Sequence, residues 1–180
     1  MKKIPTIFKR NPDNMREILM VAHPDCGWVF NGEGIATRKY DGTCCKIDAN
    51  GYWKRRAVKK GKLIPPLFEL EQYDENTGKS VGWVPVDFEN KADKYHVEAY
   101  RDGMEFGTYE LCGPKIQGNP EGYDKHVLVS HENAENLGDI TRTFDGLREY
   151  LVKMDIEGIV FHHPDGRMGK IKKRDYGQKR

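Results

Sequence analysis

Glu157-Gly158-Ile159-Val160-Phe161-His162-His163-Pro164-Asp165-Gly166-Arg167-Met168-Gly169-Lys170-Ile171-Lys172 reads as two strands folded back on each other. Glu157 to His162 and Met168 to Lys173 are the strands, and Pro164-Asp165-Gly166 between them is turn chemistry. Side chains alternate across a strand, so Lys170 and Lys172, two residues apart, share one face. Glu157 opens the first strand with a carboxylate beside apolar residues. An antiparallel pair that presents cations and a carboxylate predicts a site for a charged ligand.

Working outward, strands are expected at Glu33 to Arg38, Thr43 to Asp48 and Tyr52 to Val58, with Asn50-Gly51 as a hairpin signal between the last two. Phe106 to Cys112 and Lys125 to His131 extend the pattern. Thr143 to Met154 is an amphipathic helix, because Phe144, Leu147, Leu151 and Met154 recur at three- and four-residue steps. Shorter helices are expected over Asn14 to Met20, with Asn14 as its cap, and over Asp93 to Tyr100. Residues 61 to 90, with Pro65-Pro66, Thr77-Gly78 and Pro85, read as mostly irregular. The fold class is α+β, with antiparallel sheets and few helices, in a single domain over residues 1–180.

The chain has 180 residues, 37% hydrophobic and 32% charged, enough for one core and a solvated surface. Lys+Arg 30 against Asp+Glu 28 leaves a net charge of +2, so the chain as a whole is not a nucleic-acid polyelectrolyte. Basic residues nevertheless gather after Lys153, ending in Lys170-Ile171-Lys172-Lys173-Arg174. No apolar run is long enough for a membrane span, and no apolar stretch follows Met1-Lys2-Lys3 as a signal peptide requires. Cys26, Cys44, Cys45 and Cys112 form no C-x-x-C pair, so free thiols in a reducing cytosol are expected. The expected location is cytoplasmic.

Lys39-Tyr40-Asp41-Gly42 lies at the junction of two predicted strands. Asp41 faces the side of Lys39 if the chain stays extended there. A lysine amine is a nucleophile only when unprotonated, and its free pKa is about 10.4. Gly42 permits a tight turn or the close approach of a neighbour. Glu110-Leu111-Cys112-Gly113-Pro114-Lys115-Ile116-Gln117 is a strand that breaks at Gly-Pro. An amine, carboxylates able to serve a divalent cation, and lysines around phosphates are the parts that nucleotidyl transfer needs.

In this order the motifs resemble the covalent nucleotidyltransferase superfamily of ATP-dependent ligases and capping enzymes: K-x-D-G, a Glu-bearing strand, E-G-x-V, then K-x-K. Glu110 to Gln117 is similar to the G-E-x-x-G-P-x-I-Q of RNA ligases. Lys39-Tyr-Asp-Gly-Thr-Cys-Cys resembles the start of a compact 5′-to-3′ RNA ligase family with vertebrate members. The similarity runs from about Gly34 to Lys172.

The resemblance implies a nucleotidyltransferase (ATP-grasp-like ligase) domain, α+β, with two antiparallel sheets flanking a nucleotide cleft. It implies that Lys39 carries AMP as a phosphoramidate, and that Glu157 organises magnesium (manganese as a substitute) near the α-phosphate with Asp41 in support. Arg55 would contact the nucleotide sugar and the nucleic acid; its neighbour Arg56 is the alternative, since only one of the two can face a cleft. Glu110 would bind a ribose hydroxyl, Val160 would line the adenine pocket, and Lys170 and Lys172 would grip the α-phosphate and orient pyrophosphate. Tyr109 stands where related ligases often have Gly. The strand His126 to His131 lacks the aromatic that often stacks on the base, so adenine would meet Val127, Val129 or a histidine there.

The implied function is an ATP-dependent RNA ligase that moves AMP to an RNA 5′-phosphate and seals it to a 3′-hydroxyl, as in RNA repair, working as a monomer. Only eight residues follow Lys172, so no C-terminal OB domain is expected. A nucleotidyltransferase acting on a protein or an RNA cap is the first alternative. A non-catalytic RNA-binding module with a relic nucleotide pocket is the second.

Overall fold

A computed structural model describes residues 1–75 and 77–180 of the chain. They group into two compact units, one of residues 4–40 and 134–180, the other of residues 1–3 and 41–133. The chain passes from one unit to the other immediately after Tyr40.

The first unit is built on a three-stranded antiparallel sheet. Its centre is β10 (Gly158–His162), flanked by β3 (Ile35–Lys39) and β11 (Met168–Lys172). One face of this sheet is core: Ala36, Ile159, Phe161 and Ile171 are buried together with Leu147 and Leu151 of α3 (Phe144–Lys153). Thr143 caps α3, its hydroxyl accepting from the Gly146 amide at 3.1 Å, which satisfies one of the otherwise unpaired donors of the first turn. Both outer edges are covered by chain. The Ile7 amide donates to the Lys170 carbonyl and the Lys170 amide to the Pro5 carbonyl, each at 2.9 Å, while the Leu137 amide donates to the Ala36 carbonyl on the far side.

A two-stranded ribbon, β1 (Phe8–Arg10) with β2 (Ile18–Ala22), precedes the short helix α1 (Gly27–Phe30). The helix expected over Asn14 to Met20 is therefore absent. Asn14 instead closes a turn, its side-chain oxygen accepting from the Arg16 amide at 3.2 Å, and the following apolar run pairs with β1. Met15 and Met20 are exposed, so no core stripe holds a helix there.

The second unit is a six-stranded antiparallel sheet in the order β6 (Glu69–Asp74), β7 (Lys79–Pro85), β5 (Gly51–Val58), β4 (Thr43–Asp48), β8 (Gly107–Cys112) and β9 (Val127–Ser130). Cys45, Ile47, Tyr52, Tyr109 and Leu111 bury on one face with Val86 and Ala99, the last in α2 (Lys94–Ala99). The segment expected to be irregular holds β6 and β7. β6 is mostly polar and β7 is interrupted by Gly82 and ends in Pro85, and it is the pairing of Trp83 with Arg55 and of Glu69 with Trp83 that extends them. The remaining expected strands lie within one or two residues of their observed bounds.

At the middle of the three-stranded sheet, Gly158 stands directly between Lys39 and Lys172. A Cβ there would lie 2.2 Å from the Ile171 carbonyl oxygen and 2.9 Å from the Lys172 Cα. The obstacle is backbone, which cannot swing aside. Gly158→Ala is therefore expected to cost about 2 kcal/mol of stability, read as a lower urea midpoint at unchanged slope.

Candidate functional site

Register brings Lys39, Lys170 and Lys172 onto one face of the three-stranded sheet. Lys39, Gly158 and Lys172 form one row across the three-stranded sheet, and Thr37, Val160 and Lys170 form the next row on the same face. Glu157, one residue before β10, ends between the two lysines of the first row. Its Oε2 accepts from the Lys39 Nζ and its Oε1 from the Lys172 Nζ. Lys39 also donates to the Tyr40 carbonyl at 3.3 Å. Thr37 is buried, its hydroxyl 3.2 Å from the Val160 carbonyl and 3.0 Å from His162 Nε2.

Three ammonium groups on one small face repel one another, and burial adds to the cost of each charge. Lys170 shows it most. Burial first, then Lys172 and Lys39, bring its amine down to about 8. Lys172 is lowered as well, again by burial and Lys39, although Glu157 pulls the other way. Burial would raise the Glu157 carboxyl, but the combined attraction of Lys39 and Lys172 outweighs it and the carboxyl lies below the usual range. Lys172 is held at its backbone too: its amide donates to Asp175 Oδ2 at 2.9 Å, and Asp175 in turn pairs with Arg10 at 2.6 Å.

The other predicted residues lie in the second unit. β3 ends at Lys39 and β4 begins at Thr43, so Asp41 and Gly42 form the connection. The Asp41 amide donates to Glu121 Oε1 at 2.9 Å. A Cβ on Gly42 would sit 2.2 Å from the Leu111 carbonyl oxygen and 2.9 Å from the Glu110 side chain, so only glycine lets β8 approach. Glu110 pairs in register with Cys44, and Cys45 pairs with Lys54, which sets Arg55 next to Cys44 in the same row. Arg55 and Glu110 thus share one face of the six-stranded sheet. The Cys44 thiol between them is pushed up to about 11 by burial and the Glu110 charge, while Arg55 hydrogen-bonds it. Arg55 also donates to the Met1 carbonyl at 2.8 Å and lies over the Trp83 ring at 5.8 Å. Arg56 is exposed.

Sequence reading missed the partner of Glu110. His131 Nε2 lies 3.0 Å from Glu110 Oε2 and His131 Nδ1 lies 2.9 Å from the Thr108 hydroxyl. Thr108 and Glu110 are two apart on one strand, so their common face was legible; the register that sets His131 beside them was not. Tyr109 points to the opposite, core face, where its hydroxyl donates to the Glu105 carbonyl at 2.6 Å. Val129 pairs with Glu110 and Val127 with Cys112.

Among the described residues, no group of three or more His, Cys, Asp or Glu side chains could cage a metal ion. A magnesium ion commonly takes one or two carboxylates and completes its shell with water and phosphate oxygens. Glu157 fits that donor set as a single protein ligand. No helix among the described residues is long and apolar enough to cross a membrane.

Comparison with known proteins agrees in kind. The chain is 26% identical to RNA ligase 1 of Danio rerio, across 80% of its own length and 67% of that protein's. It is 25% identical to RNA ligase 1 of Pongo abelii, across 79% and 67%. It is 30% identical to RNA ligase 1 of Rattus norvegicus, across 65% and 44%. No protein-family profile matches the chain. The three similarities support an RNA ligase family.

Two variants test the electrostatics. Glu157→Gln leaves Lys39 and Lys172 without their shared counter-charge and is expected to cost about 2 kcal/mol at pH 7. The folded carboxyl titrates below its unfolded value, so this gap is full above the unfolded pKa and closes as pH falls through the depressed folded one. Lys170→Met acts in the other direction. The folded amine at about 8 lies below its ordinary 10.5, so the charge costs stability at low pH. The variant is expected to be more stable than the parent at pH 7 by roughly 2–3 kcal/mol. That advantage fades as pH rises from about 8 towards 10.5. Urea titrations across pH measure both.

Proposed function

We propose that the chain is an ATP-dependent RNA ligase whose nucleophile is Lys39. The observation that carries the reading is Glu157 held between Lys39 and Lys172, with Lys170 and Val160 in the next row of the same face. The similarity to proteins named RNA ligase 1 supports RNA as the acceptor class.

At rest Lys39 is paired with Glu157. Phosphate oxygens of bound ATP compete for Lys172 and Lys170. As Lys172 turns towards phosphate, Glu157 loses one of the charges that depress its basicity and can take the Lys39 proton that it already accepts in hydrogen bonding. The free amine then attacks the α-phosphorus. The nitrogen–phosphorus bond forms, the bond from the α-phosphorus to the bridging oxygen breaks, pyrophosphate leaves with the electron pair, and the second proton of the nitrogen passes to the departing pyrophosphate or to water, leaving the neutral phosphoramidate. Lys170 and Lys172 balance the charge that builds on the phosphate oxygens. Magnesium, or manganese in its place, would be held by Glu157 as its single protein ligand and would supply Lewis-acid stabilisation of those oxygens.

In the same proposal Glu110 and Arg55 serve the ribose, with Arg55 also meeting the RNA, and Val160 serves adenine. AMP passes from Lys39 to an RNA 5′-phosphate, and a 3′-hydroxyl displaces it to seal the strand.

Incubation with α-labelled ATP and magnesium, followed by a denaturing gel, should give an acid-sensitive protein label that Lys39→Ala abolishes. Addition of 5′-phosphorylated RNA should discharge the label and yield longer products, while 5′-phosphorylated DNA should do so at least tenfold less well. Label without any joined RNA would redirect the reading to transfer onto a protein or a cap. Absence of label and of bound AMP in folded protein would reduce it to a binding module.

A further inference from the structure

Glu110 is a buried carboxylate on the polar face of the six-stranded sheet. A buried charge needs compensation, and the compensation also fixes its geometry. Here one oxygen is committed and the other is not. Oε2 meets His131 Nε2 at 3.0 Å, while Oε1 accepts no hydrogen bond among the described residues. A carboxylate only accepts, so the hydrogen lies on Nε2. In the neutral ring Nδ1 then accepts the Thr108 hydroxyl hydrogen across 2.9 Å, and in the protonated ring Nδ1 donates to the same oxygen, so either form holds the contact. Both ring nitrogens are used, and the ring cannot flip without losing one of these bonds. The backbone holds the same pair, since the His131 amide donates to the Thr108 carbonyl at 3.0 Å. The His131 side chain therefore has one position, and it presents Glu110 with Oε1 open.

We infer that His131, oriented by Thr108, is a positioning residue that aims the free oxygen of Glu110 at a sugar hydroxyl and so sets the preference for a ribonucleotide over a deoxyribonucleotide donor. The inference rests on the proposed role of Glu110 as the ribose ligand. A carboxylate that swivels can accept from water as readily as from a hydroxyl. One whose second oxygen is pinned offers a single, directed acceptor, and directed hydrogen bonds to charged groups are those that discriminate most. A substrate lacking the hydroxyl leaves that oxygen desolvated and unpaired.

The test compares rates of Lys39 labelling with ATP, 2′-deoxyATP and 3′-deoxyATP at saturating and limiting concentrations, in the parent, Glu110→Gln, His131→Ala, His131→Gln and Thr108→Val. Thermal melts establish that each variant is folded. The expected result is a parent preference for ATP over one of the deoxy analogues that Glu110→Gln collapses. His131→Ala should shrink it by about tenfold, mainly through KM, and Thr108→Val should shrink it less. His131→Gln, whose amide can still donate to Oε2, should restore part of it. A merely structural histidine would lower labelling by all three nucleotides equally. If Glu110→Gln abolishes the preference and folded His131→Ala keeps it, the positioning role is wrong and the ribose role of Glu110 stands. If Glu110→Gln keeps the preference, or the parent has none, the ribose role itself fails and the inference falls with it. Where His131→Ala does not fold, His131→Gln and Thr108→Val decide: an unchanged preference in both overturns the inference.

Discussion

One carboxylate between two ammonium groups governs the three-stranded sheet. The polar face gathers Lys39, Lys170 and Lys172 within two rows of residues, and half-buried like charges at such spacing oppose folding. Glu157 offsets two of them directly, one through each oxygen. Lys170 remains without an ion pair among the described residues, and its amine is brought down to about 8. Glu157 is the carboxylate hydrogen-bonded to Lys39 and Lys172, and Asp175 adds attraction for Lys170 without pairing with it. The opposite face, with Ile159, Phe161 and Ile171 fully buried, secures the strands against this repulsion.

The same division of labour recurs in the six-stranded sheet. One face is core, built on Cys45, Ile47, Tyr52, Tyr109 and Leu111. The other carries Glu110, Cys44 and Arg55 as neighbours on three adjacent strands. Strand alternation makes this possible: every core residue fixes the aim of the polar residue beside it. Tyr109 and Glu110 are the clearest instance. The tyrosine is buried on the core face and anchored through its hydroxyl to Glu105, and the glutamate is thereby turned to the polar face, where His131 meets it.

Legibility followed the strength of local signals. β4, β5 and the hairpin of β10 with β11 combine alternation, β-branched or aromatic residues and clear turn chemistry, and they read directly. The helix α3 reads equally well from its apolar stripe and Thr143 cap. β6 and β7 did not, because Glu69 to Tyr73 is mostly polar and its extension depends on pairing with β7, and that of β7 on β5. β2 was misread as a helix because Asn14 looked like a cap, whereas its oxygen closes a turn. Both failures concern strands whose conformation is set by a partner distant in sequence.

For the candidate site the boundary falls in the same place. Sequence alone determined which residues are available: an amine at Lys39, carboxylates at Glu110 and Glu157, cations at Lys170 and Lys172, and the shared face of the last two, since a spacing of two along a strand is a covalent fact. It also determined that Arg55 and Arg56 point oppositely. What only the tertiary structure decided is who meets whom. That Glu157 serves Lys39 and Lys172 at once, that Gly158 must lack a side chain, and that His131 pins Glu110 all follow from register between strands far apart in the chain. Register is set by the summed burial of two faces and by no single residue, so no local stretch of sequence carries it.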